Sequence, residues 1–296
     1  MAGDRIGPIH NKSTLSRDLD LSSIERVELL GALEERFQIE LDESYFTETS
    51  TVEDLESMVR HPHQSTSRYA YPDWTQKGCV SILRRTFYSL IVLPLTYFMV
   101  RPTIYGQKNL TALNGPALFV SNHVTQVDPI FILAALPARM RNRLAIAMMG
   151  ERLEEMRNPG SVKSWWRRWI HKIKYGMVTA LFNVFPLPQK TGFRESFRFA
   201  GESVDRGYSI LVFPEGGRTR DGNMVDFRSG IGMLAQNLNI PVVPMRIDGL
   251  YELKIKGKFF AHTGDVSAHI GSPVYYNTDR SPAEIAEDLK EKCAAL

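Results

Sequence analysis

The sequence predicts an α/β domain with a largely parallel or mixed sheet flanked by helices. A membrane-associated helical segment precedes it, and a small all-α domain opens the chain. Three observations predict this. Short apolar runs alternate with helical patterns from Ala117 onward. An uncharged run, Thr86 to Val100, is bounded by Arg84, Arg85 and Arg101. The charge is also divided: residues 17–60 balance to −9 and residues 61–296 to +11, within a net charge of +3. The expected division is therefore a helical domain over 1–60, a linker over 61–80 and an α/β domain over 81–296.

Composition narrows the function classes. A chain of 296 residues with 43% hydrophobic and 23% charged residues is an ordinary globular composition, which excludes a disordered, collagen-like or polytopic membrane protein. Cys79 and Cys293 are too few and too far apart for a disulfide scaffold or a zinc cluster, and a reducing compartment follows. Met1 to Asn11 is polar and does not read as a signal peptide. The basic body suits phosphate, nucleic acid or an anionic membrane surface. Nucleic acid is set aside, because the basic and aromatic residues accompany lipid-like apolar runs and no known recognition module.

In the acidic part, Ser22 is placed to cap a helix with Glu25 completing a capping box. Ile24, Val27, Leu30, Leu33 and Phe37 then recur at helical spacing and define one apolar face. A second helix start falls at Ser50-Thr51-Val52-Glu53, followed by Leu55, Met58 and Val59. His61 to Gln76 reads as a polar, proline-containing linker.

The run from Thr86 to Val100 spans about 22 Å as a helix, short of the roughly 30 Å hydrocarbon core. Pro94 also weakens it as a straight span, so it reads as a helix lying in one leaflet. Lys163 to Lys174 (KSWWRRWIHKIK) combines Trp165, Trp166 and Trp169 with basic residues, the composition of a headgroup-level contact. A solvated basic helix with inward tryptophans is the alternative. Peripheral or monotopic attachment to the cytoplasmic face of a membrane is the resulting expectation. Beyond it, Ala117–Ser121, Leu144–Met149, Ser209–Phe213 and Pro241–Ile247 read as strands. Pro129–Leu136, Phe193–Arg206 and Gly230–Leu238 read as helices.

The chemistry concentrates in two strand ends. After Phe119-Val120-Ser121 come Asn122 and His123, and Asp128-Pro129 opens a helix five positions after the histidine. On one continuous helix positions 123 and 128 would stand about 140° apart around the axis. They meet only if the chain turns between strand and helix. Asp128 then orients one imidazole nitrogen and leaves the other as a base. The simpler role for Asp128 is a helix cap. The second strand end is Phe213-Pro214-Glu215-Gly216-Gly217-Arg218-Thr219-Arg220. Its glycines let the backbone approach a ligand, and Arg218 and Arg220 suit a phosphate or carboxylate. No second histidine lies at ligand spacing to His123, so no metal is expected.

His123-x4-Asp128 and Phe213-Pro214-Glu215-Gly216-Gly217-Arg218 resemble the first and third signature blocks of the glycerolipid acyltransferases, the glycerol-phosphate and lysophosphatidic-acid acyltransferase family. Phe227-Arg228-Ser229-Gly230-Ile231-Gly232 resembles the segment that follows, and Ile240-Pro241-Val242-Val243-Pro244 the fourth block. The resemblance implies phospholipid biosynthesis by transfer of an acyl group from a thioester, on CoA or an acyl carrier protein, to a hydroxyl of a lipid acceptor. His123 would be general base and Asp128 its orienting partner, with direct transfer and no acyl-enzyme. Asn122, Glu215, Gly216, Arg218 and Arg220 would bind substrate. Two positions depart from the pattern: Gly217 stands where threonine or serine is common, and Gln189 where an arginine ends the second block. Acceptor identity stays open. A lipid ester or thioester hydrolase, or a non-catalytic membrane-bound protein that binds acyl carriers or lipids, are the alternatives.

Leu19-Asp20-Leu21-Ser22-Ser23-Ile24-Glu25-Arg26-Val27-Glu28-Leu29-Leu30 resembles an acyl carrier protein. The resemblance implies 4'-phosphopantetheine on Ser23, although Ser22 replaces the aspartate usual before that serine. The first carrier helix is expected to be cut short, and an upstream acyl-activating domain or enzyme is the implied further partner.

Overall fold

The computed structural model describes residues 10–21, 23–37, 41, 49–60, 69–159, 164–188, 193–255 and 265–296. They form two compact units: Met1–Ala70 with Pro188–Glu195, and Tyr71–Leu187 with Ser196–Leu296.

The first unit contains α1 (Ser23–Phe37) and α2 (Val52–Arg60). Leu15, Leu30, Leu41 and Leu55 form its core, with Leu33, Met58 and Val59 packed against them. Phe37 departs from the expected apolar face, since it is about half exposed at the last residue of α1. The cap of α2 is reciprocal: Thr51 N–H donates to Asp54 Oδ2 at 2.8 Å and Asp54 N–H to Thr51 Oγ1 at 3.3 Å. The expected Ser22 cap lies outside the described residues.

The second unit begins with a 3₁₀ turn, Asp73–Gln76, within the stretch read as linker. Then α3 (Gly78–Phe87), a π-turn (Tyr88–Val92) and α4 (Leu93–Met99) run as one helical rod of 22 residues. This corrects the sequence reading, which began the rod at Thr86 and took Pro94 to weaken it. The wider π-turn sits just before Pro94, whose ring crowds the preceding turn and whose nitrogen has no proton to give, and the rod continues through it. By length and composition it is the one described helix able to cross a membrane.

After β1 (Thr103–Tyr105) and β2 (Leu118–Ser121) come α5 (Asp128–Ala135) and α6 (Ala138–Arg141). Then follow β3 (Leu144–Met149), α7 (Gly150–Arg157), α8 (Trp165–Phe182), β4 (Val184–Leu187) and α9 (Phe193–Asp205). The chain ends with β5 (Ser209–Val212), α10 (Gly230–Leu238), β6 (Val242–Asp248), α11 (Leu250–Ile255), β7 (Ser267–Ile270) and α12 (Pro282–Ala294). The strands form one sheet in the order β1-β7-β6-β2-β5-β3-β4. Every pair is parallel except β6 with β7, so the sheet is mixed and mainly parallel. In the centre Phe119 of β2 stands opposite Leu211 of β5 and Val243 of β6, all fully buried. Strands buried on both faces must be continuous apolar runs, which is why these three are visible in the sequence.

Two surfaces are inverted. Along the α3–α4 rod Ser81, Arg84, Tyr88, Val92 and Thr96 face the body of the unit, while Ile82, Leu83, Leu90, Ile91, Leu95 and Phe98 are exposed. Arg84 is buried because its Nε donates to Ala180 O and its Nη2 to Thr75 O, and Ser81 shares a hydrogen bond with Tyr208. On α8 the side chains of Trp165, Trp166 and Trp169 are exposed by 71, 62 and 60%. The inward-packed alternative for these tryptophans is thereby overturned. The two helices pack together through Arg84 and an edge-on contact of Phe87 with Phe182.

Candidate active site

Burial drives β2 straight into the sheet, and its C-terminal end must then supply partners for the polar groups that follow. Asn122 does this for itself: its amide donates to Ile247 O at 2.9 Å and accepts from Ile247 N–H at 2.8 Å, extending the β2–β6 pairing by one rung. The chain then turns, so that Asp128 at the start of α5 faces back toward the strand end. Pro129 suits this first helical turn because it has no proton to lose there.

Asp128 is 0% exposed. Its Oδ2 accepts from Val124 N–H at 2.6 Å and its Oδ1 from the Thr125 hydroxyl at 2.5 Å, with Thr125 N–H shared between both oxygens. The cap and the orienting partner are therefore one carboxylate. The same Oδ2 lies 2.8 Å from His123 Nδ1. Both oxygens of Asp128 act as acceptors, so Nδ1 carries the proton and Nε2 keeps a lone pair. The ring is 22% exposed and stacks on Phe213 at a centroid distance of 4.5 Å.

The second motif reaches the same place through the backbone of His123. Glu215 Oε1 accepts from His123 N–H at 2.7 Å, and Thr219 N–H donates to His123 O at 2.9 Å. Glu215 Oε2 accepts from Val225 N–H at 3.2 Å, which ties in the outgoing loop. Burial pushes the Glu215 carboxyl above the usual carboxylate range, opposed by the two backbone donors. Asn122 and Glu215, expected to touch substrate, are thus both engaged with backbone groups. This acceptor role could be suspected from burial at a strand end, but its partner at residue 123 could not.

Gly216 has φ +68°, and a Cβ there would lie 2.2 Å from Arg228 Nε. Its need for glycine is conformational and steric. Gly217 has open space around it, so nothing in the fold forbids the larger residue common at that position. Arg218 and Arg220 are exposed and, among the described residues, their guanidinium groups have no hydrogen bond or ion pair. Gln189 and Lys190, beside the second block, lie outside the described residues, as does Lys163. Ser23 is the first residue of α1, and the N-terminus of a helix favours a phosphodiester. Cys293 is buried beneath β2, and burial pushes its thiol up to about 12, so it is no nucleophile.

Residues 3–59 match the family described as phosphopantetheine attachment site. The chain is 26% identical over 202 residues to the 1-acyl-sn-glycerol-3-phosphate acyltransferase BAT2, chloroplastic, of Brassica napus, covering 65% of this chain and 52% of that protein. It is 24% identical over 172 residues to a 1-acyl-sn-glycerol-3-phosphate acyltransferase of Limnanthes douglasii, covering 55% of this chain and 51% of that one. The chain thus spans about half the length of these curated relatives. The crystal structure of the 1-acyl-sn-glycerophosphate acyltransferase PlsC from Thermotoga maritima superposes with a TM-score of 0.47 at 23% identity, over 73% of this chain and 79% of that one. Residues 101–248, half of the chain and the whole stretch that builds the His123–Asp128–Glu215 cluster, match the family described as Acyltransferase, and the chain belongs to that family.

Proposed function

We propose that the second unit transfers an acyl group from a thioester to a hydroxyl of a lysophosphatidic-acid-type acceptor. The observation that carries this reading is the His123–Asp128 pair: a half-open imidazole whose Nδ1 is held at 2.8 Å by a fully buried carboxylate, leaving Nε2 to act. The family membership and the relatives' names support the substrate class.

His123 Nε2 takes the proton of the acceptor hydroxyl as its oxygen attacks the thioester carbonyl. A C–O bond forms, and the carbonyl electron pair moves onto oxygen. Collapse of that oxyanion breaks the C–S bond, and the imidazolium returns the proton to the departing thiolate. Asp128 keeps the ring in the correct tautomer and stabilises the imidazolium between these steps. General-base help is worth about 10²–10⁴-fold, so positioning must supply much of the rest. Asn122 and Glu215 provide positioning: one anchors the strand end, the other fixes the backbone of His123. Arg218 and Arg220 receive the acceptor's phosphate, for which their unpaired guanidinium groups are suited.

The exposed faces of the α3–α4 rod and of α8 lie against the lipid surface from which the acceptor comes, attached peripherally or monotopically on the cytoplasmic side. The buried face of the rod, packed on the sheet domain, favours this over a free span. In the first unit Ser23 would hold a 4'-phosphopantetheine, whose thiol supplies a thioester attachment for an acyl chain.

The test is incubation of the purified chain with lysophosphatidic acid in mixed micelles and acyl-CoA, or acyl carrier protein, followed by lipid mass spectrometry. Phosphatidic acid should form with wild type and not with His123→Ala. Free fatty acid released at the same rate with and without acceptor would instead establish a hydrolase.

A further inference from the structure

We propose that the second unit carries a separate cationic site for the phosphate of an anionic membrane lipid, built from Arg85, Arg139 and Arg143. It is a cavity of about 450 Å³, within the range of small-ligand sites. It rests on the lipid-facing reading of the α3–α4 rod and extends it.

The cavity lies at the end of the sheet away from His123. Pro116, just before β2, and Ser209, the first residue of β5, line it, whereas His123 and Glu215 follow the same two strands. Four strand residues span about 13 Å, so the two sites do not merge. The lining is rich in donors: three guanidinium groups and the amides of Asn114 and Asn142, with no carboxylate. Arg139 is held in place, its Nη1 on Leu113 O and its Nη2 on Leu110 O. The guanidinium groups of Arg85 and Arg143 have no hydrogen bond or ion pair among the described residues. Gly207 keeps the approach to Arg143 open, since at its φ of +82° a Cβ would stand 2.8 Å from Arg143 Nη1.

The position of Arg85 selects the occupant. It directly precedes the uncharged run Thr86 to Val100, whose Leu90, Ile91, Leu95 and Phe98 are exposed. A rod with that face in the acyl layer holds Arg85, inside the rod at the edge of the uncharged run, at the depth of the lipid phosphates. A phosphodiester headgroup entering there meets two unpaired guanidinium groups.

The test compares wild type with Arg85→Gln/Arg143→Gln and with a charge-matched control on α8, Arg167→Gln/Arg168→Gln. The probes are vesicles of phosphatidylcholine with and without phosphatidylglycerol, monomeric dihexanoylphosphatidylglycerol, and inorganic phosphate. Two surface charges are worth roughly 25-fold on an anionic membrane by field alone. The pocket variant should lose about a further tenfold relative to the control, and should lose saturable binding of the short-chain lipid that the control keeps. Equal losses in the two variants would overturn the site. Inorganic phosphate bound at the arginines as tightly as the short-chain lipid would overturn the lipid as its ligand. Wild type that binds no vesicle of either kind would overturn the lipid-facing reading, and the proposal with it.

Discussion

Replacing Glu215 separates a residue that touches the acceptor from one that holds the base. Its two oxygens accept from His123 N–H at 2.7 Å and Val225 N–H at 3.2 Å. Glutamine keeps the shape but offers one acceptor and sets an NH₂ group against the other backbone donor. Losing a charge-assisted bond to a buried N–H costs about 1.5–3 kcal/mol, and alanine, which orphans both donors, costs more. The chemical cost comes from displacement, because a shift of the base by about 1 Å can lower the rate roughly 100-fold. Glu215→Gln should therefore lower kcat about 100-fold and leave the acceptor KM within about threefold. Arg218→Gln should do the reverse, raising KM for a phosphate-bearing acceptor by about tenfold or more with kcat little changed. The assay is steady-state acyl transfer at varied lysophosphatidic acid, with melting curves to confirm folding. Glu215→Gln with a raised KM and wild-type kcat would refute the argument and make the carboxylate an acceptor ligand. The pH dependence gives a second check. Burial raises the folded-state pKa of Glu215 above its unfolded value, so the folded chain holds the proton more tightly. Its contribution to stability is then fully present below the unfolded value and falls as pH rises through the folded one. Glu215→Gln cannot titrate, and the difference between the two melting-temperature profiles should follow that trend from about pH 4.5 upward.

Asp128→Asn leaves a donor where the ring needs an acceptor and favours the wrong tautomer of His123; kcat should fall by about 10⁴-fold, as in a catalytic triad deprived of its carboxylate, read by the same transfer assay. Gly216→Ala should lower the melting temperature, because it places a side chain at φ +68° into Arg228, whereas Gly217→Thr should leave it unchanged and lower the acceptor KM by restoring a hydroxyl. Leu90→Asp/Phe98→Asp should weaken binding to neutral phosphatidylcholine vesicles by roughly 100-fold, since burying those two side chains is worth about 3 kcal/mol, with secondary structure by circular dichroism unchanged.

What could be read from the sequence was whatever one local segment decides. Leu118-Phe119-Val120 must be a buried strand wherever it lies, and Asp128-Pro129 must begin a helix, so the turn that brings residue 128 back to His123 was legible from a dozen residues. The outer elements were harder. β1 has three residues, and β7 alternates Ser267 and His269 with Ala268 and Ile270, too short a pattern to stand out from loop. α12, by contrast, opens on a local signal, the capping box of Ser281 with Glu284. Side chains whose partners come from distant parts of the chain were beyond local reading. Arg84 and Arg85 look alike in the sequence as charges that close an apolar run; only the arrival of Thr75 O and Ala180 O sends the first inside and leaves the second at the surface. Glu215 is the same case in the site. A carboxylate beside two glycines and an arginine reads as a ligand for substrate, yet the backbone of His123 arrives first, and the acid becomes part of the frame that holds His123.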